Sequence, residues 1–291
     1  MQLINGFEIA RDIKLSIEKS TRDYSRQPCL AVIIAGNNPA SEIYIKNKEK
    51  ACLECGFRSL KYSLSANVGE EEILELIQML NADAAVDGIL LQLPLPKHID
   101  ENRVIASIDP SKDADCFHPL NVGKLFSSRD NFNHSLLPCT ANGCLRLIKS
   151  VRPHLDGGNA VVIGRSNVVG KPTAQLLLNE NCTVTIVHSK SRNIGEITKN
   201  ADIVVVAVGR PRFLKKSMVK EDTILIDVGI NRLEDGSICG DIDFHDMETM
   251  NVSITPVPKG VGPMTVACLM ENTYNLFARR ENNFLLHREQ I

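Results

Sequence analysis

Leu30-Ala-Val-Ile-Ile-Ala35 is an unbroken apolar run closed by Gly36-Asn-Asn-Pro39, the pattern of a strand buried on both faces. Pro39 suits the first position of a helix, and Ser41 to Cys55 follows as one. Phe57 to Leu64 alternates weakly, as a strand does. In Glu70 to Leu80 the residues Ile73, Leu76, Ile77 and Leu80 recur at helical spacing and make one apolar face. Gly88-Ile-Leu-Leu-Gln-Leu93 is a further strand, stopped by Pro94-Leu-Pro96. This strand–helix rhythm predicts a parallel sheet covered by helices. A second series begins near Ala160 and includes strands at Thr183 to Val187, Ile203 to Val208 and Thr223 to Val228. The fold class is therefore α/β, in two lobes, with a seam near Pro138 to Gly143. A last helical stretch, Thr265 to Arg280, follows a Pro/Gly-rich loop and fits against either lobe.

The second series carries the most telling local pattern. Val161-Val-Ile-Gly164 runs into Arg165-Ser166-Asn-Val-Val-Gly170-Lys-Pro172 and then a helix start. A strand, a tight turn and a helix N-terminus can offer backbone N–H groups and a positive dipole end to a phosphate. The glycine spacing is G-x5-G, not G-x-G-x-x-G, so on pattern alone a plain strand–helix turn is an equally good reading. The next strand ends in His188-Ser189-Lys-Ser-Arg192, with no acid. An NAD site usually places Asp or Glu there for the ribose 2′-hydroxyl, and a carboxylate would repel a 2′-phosphate. Hydroxyls and cations receive one, and the Arg165 guanidinium can add a bidentate contact. The pattern prefers NADP to NAD; the alternative is a solvated polar loop.

Composition narrows the classes. The chain has 291 residues, 43% hydrophobic and 23% charged, enough for two globular lobes. A formal net charge of −2 and the lack of any Lys/Arg run argue against nucleic acid and anionic membranes as partners. No apolar stretch reaches the ~18 residues of a membrane span, and the N-terminus lacks a secretory pattern. Nine cysteines without paired spacing fit a reducing compartment, so a cytoplasmic location is expected. Cys52-x-x-Cys55 is a lone pair in a helical segment, and no metal site is expected.

Several polar residues stand where chemistry is expected. Tyr44 and Lys48 are four apart on one helix and share a face. A phenol beside an amine can orient a substrate ring and lower the lysine pKa for proton transfer, though an ordinary exposed face has the same spacing. Gln92 falls at the carboxyl end of a strand, where open α/β sheets bind ligands. Asp113 and Asp115 follow Pro110 in a non-helical stretch, where acids also serve as turn formers. Thr255-Pro-Val-Pro-Lys-Gly-Val-Gly-Pro-Met-Thr265 is too rich in Pro and Gly for a regular element and reads as a binding loop or a rigid connection.

These segments in order, Ser41-x-x-Tyr44-x-x-x-Lys48, Gly88-Ile-Leu-Leu-Gln-Leu-Pro-Leu-Pro96, Lys112-Asp-Ala-Asp115, Pro138-Cys-Thr140, Gly164-Arg-Ser-x-x-Val-Gly170, Asp227-Val-Gly-Ile-Asn231 and Thr255 to Thr265, resemble the methylenetetrahydrofolate dehydrogenase/cyclohydrolase family over nearly the whole chain. The resemblance implies NADP-dependent oxidation of 5,10-methylenetetrahydrofolate, then hydrolysis of the methenyl product to 10-formyltetrahydrofolate, within one-carbon metabolism and purine biosynthesis. It implies a folate-binding catalytic lobe over 1–142, completed by a C-terminal helix over 266–291. A Rossmann-like NADP-binding lobe would span 143–265, with one cleft between the lobes serving both steps, in a homodimer. Lys48 would be the main catalytic residue of hydrolysis, with Tyr44 lining the folate ring, Gln92 bonding the lysine amine and Asp115 holding the pteridine edge. Leu93, Pro94, Pro258, Gly262 and Pro263 would complete the substrate contacts. Thr140, Gly164, Arg165, Ser166, Gly170, Ser189, Gly209, Gly229 and Ile230 would bind the cofactor. Neither step needs a metal.

Three positions depart from the family pattern. Cys116 replaces a glycine, and costs on the order of 1 kcal/mol if φ there is positive. Lys259 places a cation beside the presumed folate loop. Ala141 replaces a proline and is expected to loosen the seam. Two other readings share the fold: a dehydrogenase that has lost the hydrolase, against which Tyr44, Lys48 and Gln92 argue, and a non-enzymatic binder of NADP or folate.

Overall fold

The computed structural model describes residues 1–36, 39–127 and 136–288, and their side chains except in 39–45 and 283–288. In chain order the first elements are β1 (Gln2–Leu3), α1 (Gly6–Thr21), β2 (Cys29–Ala35), α2 (Pro39–Glu54), β3 (Arg58–Leu64), α3 (Glu70–Ala82), β4 (Gly88–Leu91), α4 (Glu101–Ser107), α5 (Pro119–Ser127) and α6 (Cys139–Val151). Then come β5 (Asn159–Ile163), α7 (Gly170–Asn179), β6 (Thr183–Val187), α8 (Ile194–Thr198), β7 (Ile203–Val206), β8 (Ile224–Asp227), β9 (Asn231–Arg232), β10 (Ile238–Cys239), β11 (Ser253–Ile254) and α9 (Val261–Arg288). The chain divides into two compact units, one of Met1–Ala10 with Pro138–Cys268, the other of Arg11–Leu137 with Leu269–Ile291.

The second of these holds a three-stranded sheet in the order β3-β2-β4, with β2 parallel to both neighbours. Every residue of β2 is buried, which is why its sequence is an apolar run; β3, at the edge, alternates. Ile73, Ile77 and Leu80 of α3 pack into the core around Ile33, Ile89 and Leu91. Past β4 a parallel bridge pairs Ile89 with Asp113, and so brings the Lys112–Asp115 stretch beside the strand. The C-terminal helix is tied into this unit through Asp87, whose buried carboxylate accepts from Arg26 (2.8 and 2.9 Å), Arg280 (2.8 Å) and the Cys29 N–H (2.9 Å). Removing both arginines would leave the buried carboxylate without a cation, a change of several kcal/mol in the worst case.

The six-stranded unit runs β1-β11-β8-β7-β5-β6, all neighbours parallel. From β5 onward this is the order 2-1-3-4 of a doubly wound fold, with its switch point between β5 and β7. The β7 and β8 runs are wholly buried, whereas β6 lies at the edge and exposes Thr183, Thr185 and Ile186.

The division differs from the expected 1–142 and 143–265. Gln2 and Leu3 pair with Ser253 and Ile254, so the first ten residues belong to the six-stranded unit and not to the first lobe. A two-residue strand is too short to announce itself by alternation. The unit boundary between Leu137 and Pro138 falls at the start of the segment read as a seam, where Pro138 caps α6 and Ala141 is fully buried in the helix's first turn. Among the described residues no helix is long and apolar enough to cross a membrane.

Candidate active site

In the three-stranded unit the site begins where β4 stops. Gln92 follows the last strand residue, and its N–H still donates to the Ile33 carbonyl (2.9 Å), so its backbone is fixed by the sheet. Its side-chain NH2 donates to the Leu93 carbonyl (2.8 Å), which turns the amide oxygen outward to accept from Lys48 Nζ (3.0 Å). Lys48 reaches that oxygen from α2 and is only 8% exposed. The buried amine is thus set in place by a neutral amide oxygen. The backbone of Tyr44 lies one turn earlier in α2, and its side chain is outside the described residues. Leu93 is half-buried and Pro94 exposed, joined by a cis peptide bond.

The Lys112–Asp115 stretch supplies two carboxylates with different fates. Asp113 is buried and accepts from the Phe117 and His118 N–H groups (3.2 and 2.8 Å) and from Asn121 Nδ2 (2.9 Å). It closes the turn that starts α5, as a turn-forming acid should. Asp115, two residues beyond the bridge, is half-buried and is the carboxylate of the pair that remains in reach of solvent. Cys116 follows with φ 61, the conformation that glycine would take without strain, and its thiol donates to the Leu136 carbonyl (3.2 Å). Burial pushes that thiol well above the ordinary range.

In the six-stranded unit the candidate cofactor residues gather at the carboxyl edge of the sheet. Ile163 of β5 is in register with both Val187 of β6 and Val206 of β7. Arg165 and Ser189 each stand two residues past that common level, on adjacent loops, and both are exposed. His188 turns the second loop, accepting from the Lys190 N–H (3.2 Å) and presenting its carbonyl to the Ser191 N–H (2.8 Å). The two glycines of G-x5-G are there for close approach. A Cβ on Gly164, which has φ +127, would sit 2.3 Å from the Ala207 carbonyl oxygen, and one on Gly170 would sit 2.3 Å from that of Gly164.

The turn is closed by its own serine. Ser166 Oγ accepts from the Val169 and Gly170 N–H groups (both 3.2 Å), and its carbonyl accepts from Lys171 (3.0 Å). Pro172 has no N–H to give. The N–H groups of residues 169–171 at the start of α7 are thus engaged by Ser166. Nothing in the G-x5-G pattern signalled this, since a serine can cap or face outward equally well.

The other candidates are placed as follows. Thr140, in the first turn of α6, accepts from Thr265 Oγ1 (3.2 Å). Pro258 is exposed after a cis bond from Val257, while Gly262 and Pro263 are half-buried in the first turn of α9. Gly209 has φ +61 with open space where a side chain would be, Gly229 is buried, and Ile230 is 47% exposed. Sequence reasoning missed Asp241, which is fully buried and gathers three main-chain N–H groups from the loop after β7 and the side-chain amide of Asn231 from the loop after β8.

A nicotinamide dinucleotide fits this edge. The crevice at the β5/β7 switch point is floored by backbone at Gly164 and opens at Gly209, which suits a flat group approaching main chain. Among the described residues no group of three or more His, Cys, Asp or Glu could hold a metal ion.

Comparison with known proteins agrees with this arrangement. Residues 4–115 match the family model for the tetrahydrofolate dehydrogenase/cyclohydrolase catalytic domain, and residues 138–281 match that for the NAD(P)-binding domain of the same family. The bifunctional protein FolD of Campylobacter hominis is 53% identical over 276 residues, covering 94% of this chain and 96% of that protein. A crystal structure of the bifunctional FolD methylenetetrahydrofolate dehydrogenase/cyclohydrolase of Campylobacter jejuni superposes with a TM-score of 0.92, at 46% identity over 96% of this chain and 99% of that one. The Trypanosoma brucei methylenetetrahydrofolate dehydrogenase-cyclohydrolase, solved with NADP and an inhibitor, gives a TM-score of 0.91 at 37% identity, covering 96% and 97%. With both stretches matched and a relative of this identity spanning nearly its full length, the chain belongs to the tetrahydrofolate dehydrogenase/cyclohydrolase family.

Proposed function

We propose that side chains of the three-stranded unit carry the proton chemistry and loops of the six-stranded unit carry cofactor alignment. The chain is a bifunctional enzyme of folate one-carbon metabolism. It oxidises 5,10-methylenetetrahydrofolate to the 5,10-methenyl cation with NADP, and hydrolyses that cation to 10-formyltetrahydrofolate. NADP, when bound, supplies the acceptor for the hydride that leaves the methylene carbon. No protein base is consumed in that step, so alignment is the protein's main contribution. The six-stranded unit provides it through Gly164, Ser166 and Gly170 at the β5 turn, Thr140 on α6, and Gly209, Gly229 and Ile230 in the loops after β7 and β8. Arg165 and Ser189 read the 2′-phosphate, supported by their common level at the sheet edge and by the lack of an acid between His188 and Arg192.

Hydrolysis is different, because water must lose a proton as it adds to the methenyl carbon and the opened N5 must gain one. Lys48 carries those protons at Nζ, and Gln92 holds the amine in position. The 3.0 Å bond between the two is the observation that carries this reading. Tyr44, Leu93, Pro94, Pro258, Gly262 and Pro263 shape the folate site, and Asp115 accepts from the N–H donors of the pteridine edge. Following NADPH and methenyltetrahydrofolate absorbance together in wild type and Lys48→Gln tests the assignment: the first signal should persist while methenyl product accumulates.

The enzyme acts as a homodimer joined through its cofactor units. Supporting this, edge strand β6 exposes Ile186 and neighbouring α7 exposes Leu178 (40% and 53%), a pairing edge that a monomer would be expected to protect. We place it in the cytoplasm, consistent with nine free cysteines. Its formyl product would serve purine biosynthesis.

A further inference from the structure

Two buried carboxylates stand behind the loops at the carboxyl edge of β7 and β8. Asp241 Oδ2 accepts from the N–H groups of Val208 (2.7 Å) and Gly209 (2.9 Å). Its Oδ1 accepts from the Arg210 N–H (2.8 Å) and from Asn231 Nδ2 (2.9 Å). Three consecutive main-chain N–H groups therefore converge on one side chain, forming an anion-binding nest that the protein fills with its own carboxylate. Because each peptide is trans, the carbonyls of Ala207, Val208 and Gly209 face the other way. The Ala207 oxygen is the atom that excludes a side chain at Gly164, so this face of the loop is the one turned to the β5/β7 crevice.

Asp227, at the end of β8, holds Asp241 in turn. Its Oδ1 accepts from the Gly229 and Asp241 N–H groups (3.0 and 2.9 Å), and its Oδ2 from Ile242 (2.8 Å). A Cβ on Gly229 would lie 2.2 Å from Asp241 Oδ1, and one on Gly240 would lie 1.9 Å from Asp227 Oδ2. Carboxylate and backbone are in contact with no slack, so displacement of one must move the others. Four donors on one side chain form a directional set.

We propose that Asp241 is the positioning residue of hydride transfer: without touching cofactor, it fixes the 208–210 and 229–231 backbone against which the nicotinamide is aligned. This rests on the reading of Gly209, Gly229 and Ile230 as the residues that border the nicotinamide. The hydrolytic step uses Lys48 in the other unit and makes no demand on these loops. Loss of the Asp241 clamp should thus split the two activities, which a residue serving only stability could not do.

The test uses the full-length enzyme with two assays: NADP-dependent oxidation of methylenetetrahydrofolate, and hydrolysis of methenyltetrahydrofolate without NADP. Asp241→Asn keeps the shape but points an NH2 at N–H groups, donor against donor. Misplacement of about 1 Å at a reacting centre can cost about 10²-fold. The dehydrogenase kcat should therefore fall by at least about tenfold with a raised KM for NADP, while cyclohydrolase stays within about twofold. Equal loss of both activities in folded protein, or loss of neither, overturns the proposal. If Asp241→Asn does not fold, Asn231→Ala decides. It removes one donor from a half-buried side chain and should lower the dehydrogenase-to-cyclohydrolase ratio by about threefold; an unchanged ratio overturns the proposal. Ile230→Ala separates this from the underlying reading. If it alters neither KM for NADP nor kcat, the loops do not border the nicotinamide and both ideas fail. If it alters them and Asp241→Asn does not, only the role of Asp241 fails.

Discussion

The two units solve opposite problems with the same kind of sheet. In the three-stranded unit the candidate chemistry sits on side chains: Lys48 and Gln92 meet at 3.0 Å, each anchored to a regular element. In the six-stranded unit the candidate nicotinamide contacts sit on backbone, at Gly209 and Gly229, and the carboxylates that hold those loops are buried behind them. Moving a proton needs a titratable group at the surface of the site, whereas aligning a planar cofactor needs main chain that does not move. The difference predicts where each unit is fragile. The first should fail by losing one functional group, the second by losing shape.

The largest expected effect follows from that contrast. Lys48→Gln keeps length and hydrogen bonding but removes the titratable amine, so cyclohydrolase should fall by about 10²–10⁴-fold while much of the dehydrogenase survives. A loss below tenfold, or an equal loss of both activities in a folded NADP-binding protein, would sink the assignment. Asp115→Ala should harm both steps together, because it unhooks the substrate they share.

Next in size is cofactor choice. Arg165→Ala combined with Ser189→Asp removes a cation and adds a charge that repels the 2′-phosphate. Charged hydrogen bonds of this kind are worth about 1.5–3 kcal/mol, so NADP should weaken by tenfold or more and NAD far less. Equal losses for both cofactors in titrations would show that these residues do not read the phosphate.

How far the sequence reached also divides between the units. β2, α3 and β4 were legible because complete burial and one-sided burial leave different periods in the chain, and Gln92 was legible because it follows a strand end. Lys48 stood out by its spacing from Tyr44. The Asp227–Asp241 pair was not legible as a clamp, because carboxylates satisfied by backbone N–H groups need no partner residue at a fixed offset. The closure of the Ser166 turn, and the pairing of Gln2 with Ser253 across the length of the chain, were hidden for the same reason. Backbone geometry leaves little trace in residue identity except at glycine.

The buried pair offers a smaller effect, read by pH. Burial raises the Asp227 carboxyl from 3.8 to about 7, opposed by N–H bonds from Ile242, Asp241 and Gly229 and aided by the charge of Asp241; Cys239 is the other titratable group nearby. The folded state then holds a proton that the unfolded chain has released between pH ~4 and ~7, so this group's contribution to stability falls as pH rises through that window. Asp227→Asn cannot ionise. The Tm difference between wild type and Asp227→Asn should therefore change across pH 4–7 and level off above it. Parallel curves would mean that Asp227 is ionised throughout.

The smallest effects concern two non-glycine residues with positive φ, Cys116 (φ 61) and Lys259 (φ 86). Relief of strain by glycine is worth roughly 1 kcal/mol, and the extra freedom of an unfolded glycine costs roughly 0.5–1 kcal/mol, so the backbone terms nearly cancel. What remains is the side chain. Cys116 is fully buried and its thiol donates to Leu136, so Cys116→Gly also opens a small cavity and should lower Tm. Lys259 is exposed, and its carbonyl accepts from the Phe7 N–H (3.1 Å), a bond that a glycine keeps, so Lys259→Gly should leave Tm within a degree or two. Its charge is then free to show itself in function. If the amine attracts the glutamate tail of folate, Lys259→Gly should raise KM for polyglutamylated substrate at low salt, and the gap should close as salt rises. A KM difference that ignores salt would assign the effect to loop shape instead. A fall in Tm for Lys259→Gly as large as for Cys116→Gly would show that the side chain at 259 is packed and not solvated.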